Sequence, residues 1–298
     1  MLKSLLVPMT GQTLPDSADA KARDGAVEVA LALTRRYRAT LTGLFIRPDP
    51  RTAIPFMGEG LTADMVQELC DAAEQEGRQQ ASRGLAVFRA ACERAGLPLD
   101  KVKGDNGTPA AHWDEVTGLI TDHVGRRARL ADLSICHQPS DGDGDQDAIF
   151  SDLLFRSGRS LLMVPGGMDS VGAGDVGRTV MVAWNGRAEC ARAVNAALPV
   201  LAEAAKVHLV QVGDIDSARP GLGDARDYLA LHAIPVSDHK VARDGAPVAD
   251  RLIAEADRLG ADMVVIGAYS HARWREMILG GVTRDLVADC PLPIFMAH

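Results

Sequence analysis

The stretch VIGAYSHARWREMILGGVTRDLV, residues 265–287, decides the fold. Its apolar opening runs into Gly267, and Gly280 and Gly281 stand just ahead of a short amphipathic segment. A uniformly apolar run is typical of a strand buried on both faces of a sheet, and the segment after the glycine pair has helical spacing. This order predicts a parallel strand, a loop and the start of a helix, which is the repeating unit of an α/β sheet.

The same order of elements occurs twice in the chain. KSLLVPMTG, from Lys3, and RTVMVAWNG, from Arg178, predict opening strands, and alanine-rich amphipathic helices follow at about 25–37 and 189–205. GDNGTPAAHW and ARDGAPVADR both predict a turn in which a proline opens a helix, where its missing N–H costs nothing. RLADLSIC and LGADMVVI predict buried strands, and each half closes with a proline-containing strand, SLLMVP or LPIFMA.

These repeats predict an α/β fold with two Rossmann-like domains, each with a five-stranded parallel sheet flanked by helices. The first domain spans residues 1–165 and carries an extra helical segment at about 63–95. Residues 166–177 are glycine-rich with almost no apolar content, which is typical of a linker. The second domain spans residues 178–298.

Composition excludes several classes of function. The 298 residues carry a formal net charge of −8, which argues against general nucleic-acid binding. The five cysteines are scattered without a CxxC pair, so neither a disulfide framework nor a zinc site is expected. No apolar run reaches membrane-spanning length and the N-terminus does not fit a signal peptide, so we expect a soluble, cytoplasmic protein without membrane contact.

The parts of a ligand pocket occur in order in the second half. In an open parallel sheet, ligands bind beyond the carboxyl ends of the strands. Ala183 and Asn185 follow the first strand of this half, Val212 ends the second, and Gly267 and Ser270 follow the fourth.

The last helix of the second half supplies the other side of the predicted pocket. Gly280, Gly281, Val282 and Thr283 stand at its start, with Val282 on the same face as the apolar residues of the next turn. Free N–H groups at a helix N-terminus form a natural anion site, and Thr283 adds a hydroxyl.

On these motifs the second half resembles a universal stress protein domain, and the whole chain resembles the tandem, two-domain members of that family. ATP-binding members carry a glycine, two residues, a glycine, nine residues, a glycine and then serine or threonine. Gly267, Ser270 and Gly280 keep that register. The resemblance covers essentially the entire chain, strongly at its C-terminal stretch and weakly in the first half.

Three residues depart from the family pattern. Ser270 replaces the second glycine, Gly281 replaces the hydroxyl residue, and Asn185 stands where the family has an aspartate that faces the nucleoside. Exchanging a charged for a neutral hydrogen bond costs roughly 1 kcal/mol, close to tenfold in affinity. In the first half Thr10 takes the position of that aspartate, and the Asp-rich stretch after the fourth strand has no glycine register, so this half is not expected to bind ATP.

The resemblance implies a cytoplasmic regulatory or sensing protein of the stress response, with at most one adenine-nucleotide site, for ATP with magnesium, in the second domain. It also implies that the last strands, SLLMVP and CPLPIFMAH, join the two domains into an intramolecular pseudo-dimer, which two such chains can extend to a homodimer. The alternative is a nucleotide-free interaction module of the same fold that acts on protein partners through its surfaces. Catalysis is not indicated, beyond weak ATP hydrolysis at most.

Two charged stretches admit a second interpretation. The aspartates of residues 141–152 have spacing reminiscent of a calcium loop, but Gln146 occupies the position that requires glycine, so a solvated loop is preferred. Arg273 and Arg275 lie between the two glycine sites, where they can either reach phosphates or remain in solvent.

Overall fold

A computed structural model describes residues 1–12, 14, 24–52, 62–100, 108–140, 142–168, 173–268 and 281–298. One 11-stranded sheet runs through the described chain, in the order β3-β4-β2-β1-β5-β6-β11-β10-β7-β8-β9. Every neighbouring pair is parallel except β6 and β11 at the centre. The α/β fold with a mostly parallel sheet is therefore confirmed.

The first half contributes the strands β1 Ser4–Met9, β2 Thr40–Arg47, β3 Leu99–Asp100, β4 Ala110–Thr117, β5 Leu133–His137 and β6 Leu161–Val164. Its helices are α1 Gly25–Tyr37, α2 Ala63–Ala95, α3 Ile120–Ala128 and α4 Gly144–Arg156. The second half contributes β7 Thr179–Ala183, β8 Lys206–Val212, β9 Ser237–Val241, β10 Met263–Gly267 and β11 Ile294–Ala297. Its helices are α5 Ala188–Leu201, α6 Leu222–Leu231, α7 Val248–Leu259 and α8 Gly281–Asp289.

The two halves meet at the centre of the sheet. Residues Leu161, Leu162 and Met163 of β6 pair antiparallel with Met296, Phe295 and Ile294 of β11. All six side chains are buried, so the edges that each half would otherwise expose are closed against each other. This is the pairing expected between the final strands.

An aspartate at an equivalent position in each half anchors the first strand of that half. Asp262, just before β10, accepts backbone N–H groups from Gly177 at 2.7 Å and Thr179 at 2.7 Å. Asp132, just before β5, accepts the N–H groups of Lys3 at 2.7 Å and Ser4 at 2.9 Å. These bonds fix β1 beside β5 and β7 beside β10, and they underline the internal repeat.

The expected helix start at Pro109 is wrong. Residues Ala110–Thr117 form β4, which pairs with β2 along its whole length. Trp113 explains the difference, because its ring stacks on Phe45 at 5.6 Å and packs against Phe88 of α2 at 5.5 Å. The corresponding proline in the second half, Pro247, does precede a helix, α7.

The described part of the first half has six strands where five were expected. After α2 the chain turns at Gly96, whose φ of 64° is left-handed, and returns along the free edge of β4. The added strand β3 is two residues long and parallel to β4.

The Asp-rich stretch is not the solvated loop expected from its composition. Asp143 caps α4 by accepting the N–H of Gln146 at 3.0 Å, and the residues that follow are helical. Asp152 is buried, accepts the N–H of Gly125 at 2.5 Å and pairs with Arg156. A helix spreads these carboxylates around its axis, so residues 144–152 do not form a calcium loop.

The described ends of the predicted linker are packed against the first half. Arg36, on α1, donates to the carbonyls of Val176 at 2.6 Å and Gly174 at 2.8 Å. Ala173 and Val176 are buried. Among the described residues, no helix is both long and apolar enough to cross a membrane.

Candidate functional site

The candidate site lies at the carboxyl ends of β7, β8 and β10, where the strand order of the second half reverses. β7 pairs with β8 on one side and with β10 on the other, and a helix leaves from the end of each strand. Ala183, Asn185, Val212, Gly267 and the start of α8 all belong to this edge. Such a reversal opens the crevice in which α/β proteins bind ligands.

Two residues of the predicted site lie outside the described part of the chain. Ser270 and Gly280, and with them Arg273 and Arg275, belong to residues 269–280. Their roles stay predictions.

Gly267 has a packing reason that needs no ligand. A Cβ at this position would lie 2.3 Å from the backbone nitrogen of Cys190 and 2.5 Å from the carbonyl carbon of Glu189. The first turn of α5 therefore rests directly on the end of β10, and only a residue without a side chain fits between them. The sequence interpretation attributed this glycine to close approach of a ligand, whereas the described contact is with a helix.

Asn185 is engaged in its own loop. Its Oδ1 accepts the backbone N–H of Arg187 at 3.0 Å, and Gly186 between them has a φ of 68°. Asn185 is exposed, and its side-chain amide also carries two N–H donors. One carboxamide oxygen is thus committed to the turn that leads from β7 into α5.

Ala183 is tied to the same turn through its carbonyl, which accepts from the Cys190 thiol at 3.1 Å. Burial raises the pKa of this thiol to about 11, so the sulfur is a neutral donor at physiological pH. The Ala183 side chain is half-buried, as is Val212 at the end of β8.

The loop of residues 213–221 covers the end of β7, a feature that sequence reasoning missed. The Trp184 indole N–H donates to the carbonyl of Pro220 at 3.0 Å, and a Cβ on Gly186 would lie 2.7 Å from the same oxygen. At the other end of the loop, the buried Gln211 donates to the carbonyl of Gly213 at 2.8 Å. The sequence signal for such a contact is Trp184 beside Asn185, because a buried indole N–H usually finds a hydrogen-bond acceptor.

Within the described part of the chain, no other residue covers the start of α8 at Gly281. Gly281 is exposed, and a Cβ there would meet nothing nearer than Asp285 at 3.8 Å. Val282 is 38% exposed whereas Thr283 is 9% exposed, so the expected face is rotated and Val282 does not join the buried residues Leu286 and Val287. The first-turn N–H groups of a helix have no partner within it, and such groups are suited to bind an anion.

The equivalent edge of the first half holds an ion pair. His137, at the end of β5, takes the place of Gly267, and its Nε2 lies 2.9 Å from Oδ1 of Asp24, the N-cap of α1. Burial is the largest single influence on both groups and favours their neutral forms, but the partner's charge together with the hydrogen bonds outweighs it. The pKa of His137 is therefore raised and that of Asp24 is lowered. Thr10, in the place of Asn185, is buried.

Other features of the described chain do not add to this edge. Among the described residues, no three His, Cys, Asp or Glu side chains converge as metal ligands would. A cavity of about 450 Å³ lies in the first half between the end of β2 and α2. It is lined by Arg47 and Arg51 but also by Asp71 and Glu74, and Arg47 is already paired with Glu115 at 2.7 Å. Its mixed charge does not single out an anion.

Comparisons with known proteins agree with this architecture. The model of the universal stress protein family matches residues 177–298. A universal stress protein from Archaeoglobus fulgidus DSM 4304 superimposes with a TM-score of 0.65 at 15% identity, over 99% of this chain and 97% of that chain. A functionally unknown protein from Pseudomonas aeruginosa PAO1 gives a TM-score of 0.54 at 12% identity, over 99% of this chain and 92% of that chain.

No match was found among proteins of curated function. At the identities of the structural matches, the likeness shows the fold alone. The match to the family model covers residues 177–298, which is the half that holds the candidate site. Residues 177–298 are therefore a domain of the universal stress protein family, and the first half repeats the same fold.

Proposed function

We propose that the second half binds one adenine nucleotide, ATP with Mg²⁺, and that binding serves a sensing or regulatory role in the stress response. The observation that carries the proposal is the first turn of α8, which follows β10 and which no other described residue covers at Gly281. This edge belongs to the half that matches the family model. A protein of this kind acts by changing its surfaces when the nucleotide is bound, and we assign it no turnover.

Each described residue has a distinct role in the proposed site. The N–H groups that follow Gly281 bind phosphate oxygens, and Mg²⁺ is held through those phosphates. Val212 and Ala183 supply the apolar wall for the base and ribose. Asn185 offers its amide N–H groups to the nucleoside, since its oxygen already accepts from Arg187. A neutral contact in place of a carboxylate weakens binding by about tenfold.

The experiment is a titration of the nucleotide-stripped full chain with a fluorescent ATP analogue and Mg²⁺. In Gly281→Trp a large side chain is added at the start of α8, where the backbone itself tolerates a Cβ. Gly144→Trp is the matched control, because Gly144 begins α4 of the first half and a Cβ there meets nothing within 4 Å. We expect loss of binding in Gly281→Trp and wild-type affinity in Gly144→Trp. Equal affinity in all three proteins would refute the proposed location.

A nucleotide-free interaction module is the second candidate, and the 213–221 loop favours it. Ile215 and the Pro220 carbonyl pack on Gly186, so the loop occupies space above the end of β7. Nucleotide that enters there displaces the loop from Trp184. A shift in Trp184 emission on adding ATP, in a chain whose other tryptophans are phenylalanine, supports the nucleotide site. Unchanged emission, together with no competition by ADP or AMP against the fluorescent ATP analogue, supports the interaction module.

A further inference from the structure

The helix that bears the candidate anion site is capped by a side chain from the other half of the chain. Gln138, which directly follows β5, donates its Nε2 hydrogens to the carbonyls of Val287 at 2.8 Å and Ala288 at 2.9 Å. Both carbonyls lie in the last turn of α8. The bonds join residues 149 and 150 positions apart in sequence.

These bonds complete the C-terminal end of α8. The last carbonyls of a helix have no partner within it and need one elsewhere. The carbonyl of Leu286 accepts the N–H of Cys290 at 3.0 Å, and the next two belong to Gln138. The last two of these carbonyls are therefore held by the first half and not by their own.

The internal repeat does not reproduce this cap, because the residue equivalent to Gln138 in the second half is Ala268. Gln138 donates its backbone N–H to Val164 at 2.8 Å, and Ala268 donates its N–H to Ala297 at 2.9 Å, so the two residues are equivalent. Ala268 is a buried methyl group that cannot cap a helix. The equivalent helix, α4, is closed within its own half, where Arg129 donates to the carbonyl of Arg156 at 3.3 Å.

Gln138 directly follows a residue that is held in place by an ion pair. Its neighbour His137 is paired with the buried Asp24, which ties the end of β5 to the start of α1. A side chain anchored in this way transmits the position of the first half to α8. The nine residues of α8 span about 13 Å, so a tilt at its last turn moves the N–H groups of its first turn.

We propose that Gln138 is a positioning residue: the first half holds α8 in the orientation that the anion site of the second half requires. The effect on ligand affinity rests on the proposed function, whereas the effect on α8 does not. This assigns the first half a role in the site through one hydrogen-bonded side chain.

Two substitutions of opposite character test the proposal in the full chain. Gln138→Glu keeps the shape but replaces the donors with a carboxylate that the helix carbonyls repel. Gln138→Lys keeps donors and adds a charge that suits a helix C-terminus. Gln146→Ala is the control, since Gln146 lies in the first turn of α4 and its side chain has only an exposed contact with Ser140 at 3.3 Å.

The first readout is amide hydrogen exchange in residues 281–290 without ligand. We expect Gln138→Glu to speed exchange there by about tenfold and Gln138→Lys to leave it near wild type. The second readout is affinity for the fluorescent ATP analogue, which Gln138→Glu should weaken by about tenfold while the urea midpoint of the whole chain changes little. A merely structural contact would not give this separation of affinity from global stability.

Unchanged exchange in α8 of Gln138→Glu would overturn the proposal, as would faster exchange with unaltered nucleotide affinity. Equal losses in the Glu and Lys variants would also overturn it, because they would indicate disrupted packing and not lost donors. A wild-type chain that binds no nucleotide would refute the proposed function, and the exchange data alone would then decide whether Gln138 positions α8.

Discussion

Replacing Gly267 with alanine is the sharpest test of how the candidate edge is built. The new Cβ would lie 2.3 Å from the nitrogen of Cys190, and ordinary contact begins at 3.4 Å. Because both opposing atoms belong to the backbone of α5, no side chain can rotate away, and the helix must retreat by about 1 Å. Overpacking of this kind costs about 3 kcal/mol, since it also separates α5 from the buried core beneath it.

The assay is urea denaturation of Gly267→Ala beside Gly281→Ala, the glycine that opens α8. A Cβ on Gly281 meets nothing nearer than 3.8 Å, so this control should change the free energy of unfolding by about 0.5 kcal/mol or less. A second readout is the reaction of Cys190 with a thiol reagent. Its buried, neutral thiol should become reactive only in Gly267→Ala. Equal stability of the two variants would refute the packing role of Gly267.

Three further predictions concern the first half and its junction with the second. The ion pair of His137 and Asp24 should stabilise the fold most between about pH 4 and 6.5. The pKa of His137 is raised, so its contribution to stability is lost as the pH rises through that pKa. The pKa of Asp24 is lowered, so its contribution is lost as the pH falls through that pKa. Urea midpoints of Asp24→Asn should lose this dependence on pH, and a wild-type midpoint that rises steadily to pH 9 would contradict it. Asp262→Ala should lower the free energy of unfolding by about 3 kcal/mol in urea denaturation, and Asp132→Ala should lower it less, because Asp262 also accepts the N–H of Arg178. Equal losses in the two variants would contradict this count of hydrogen bonds. Arg36→Ala should speed proteolysis between the halves, since Arg36 holds two carbonyls there; unchanged cleavage would mean that buried apolar residues suffice.

Much of the fold is predictable because local signals agree with it. Helix α2 begins after Thr62, whose hydroxyl accepts the N–H of Met65, and ends at Gly96 in a left-handed turn. Both ends are visible in the sequence as a cap and a glycine, so the predicted bounds match those observed. The repeated apolar strands likewise predict the parallel sheet.

The errors arise where a distant contact overrides a local pattern. Pro109 resembles the proline that opens α7, but Trp113 packs on side chains from β2 and α2, and the segment becomes a strand. Gln138 has no sequence signature at all, because its partners are carbonyls of the other half. At the candidate site, Gly267 fits the family register and yet contacts a helix, a distinction that only the folded chain reveals.

The central claim is that the second half alone provides a nucleotide site. Calorimetric titration of the nucleotide-stripped full chain with ATP and Mg²⁺ tests it most directly, because it measures stoichiometry together with affinity. We predict about one site per chain, since the first half carries the ion pair of His137 and Asp24 where the second half carries Gly267. Two sites per chain, or no binding heat and no competition by ADP, would contradict the account.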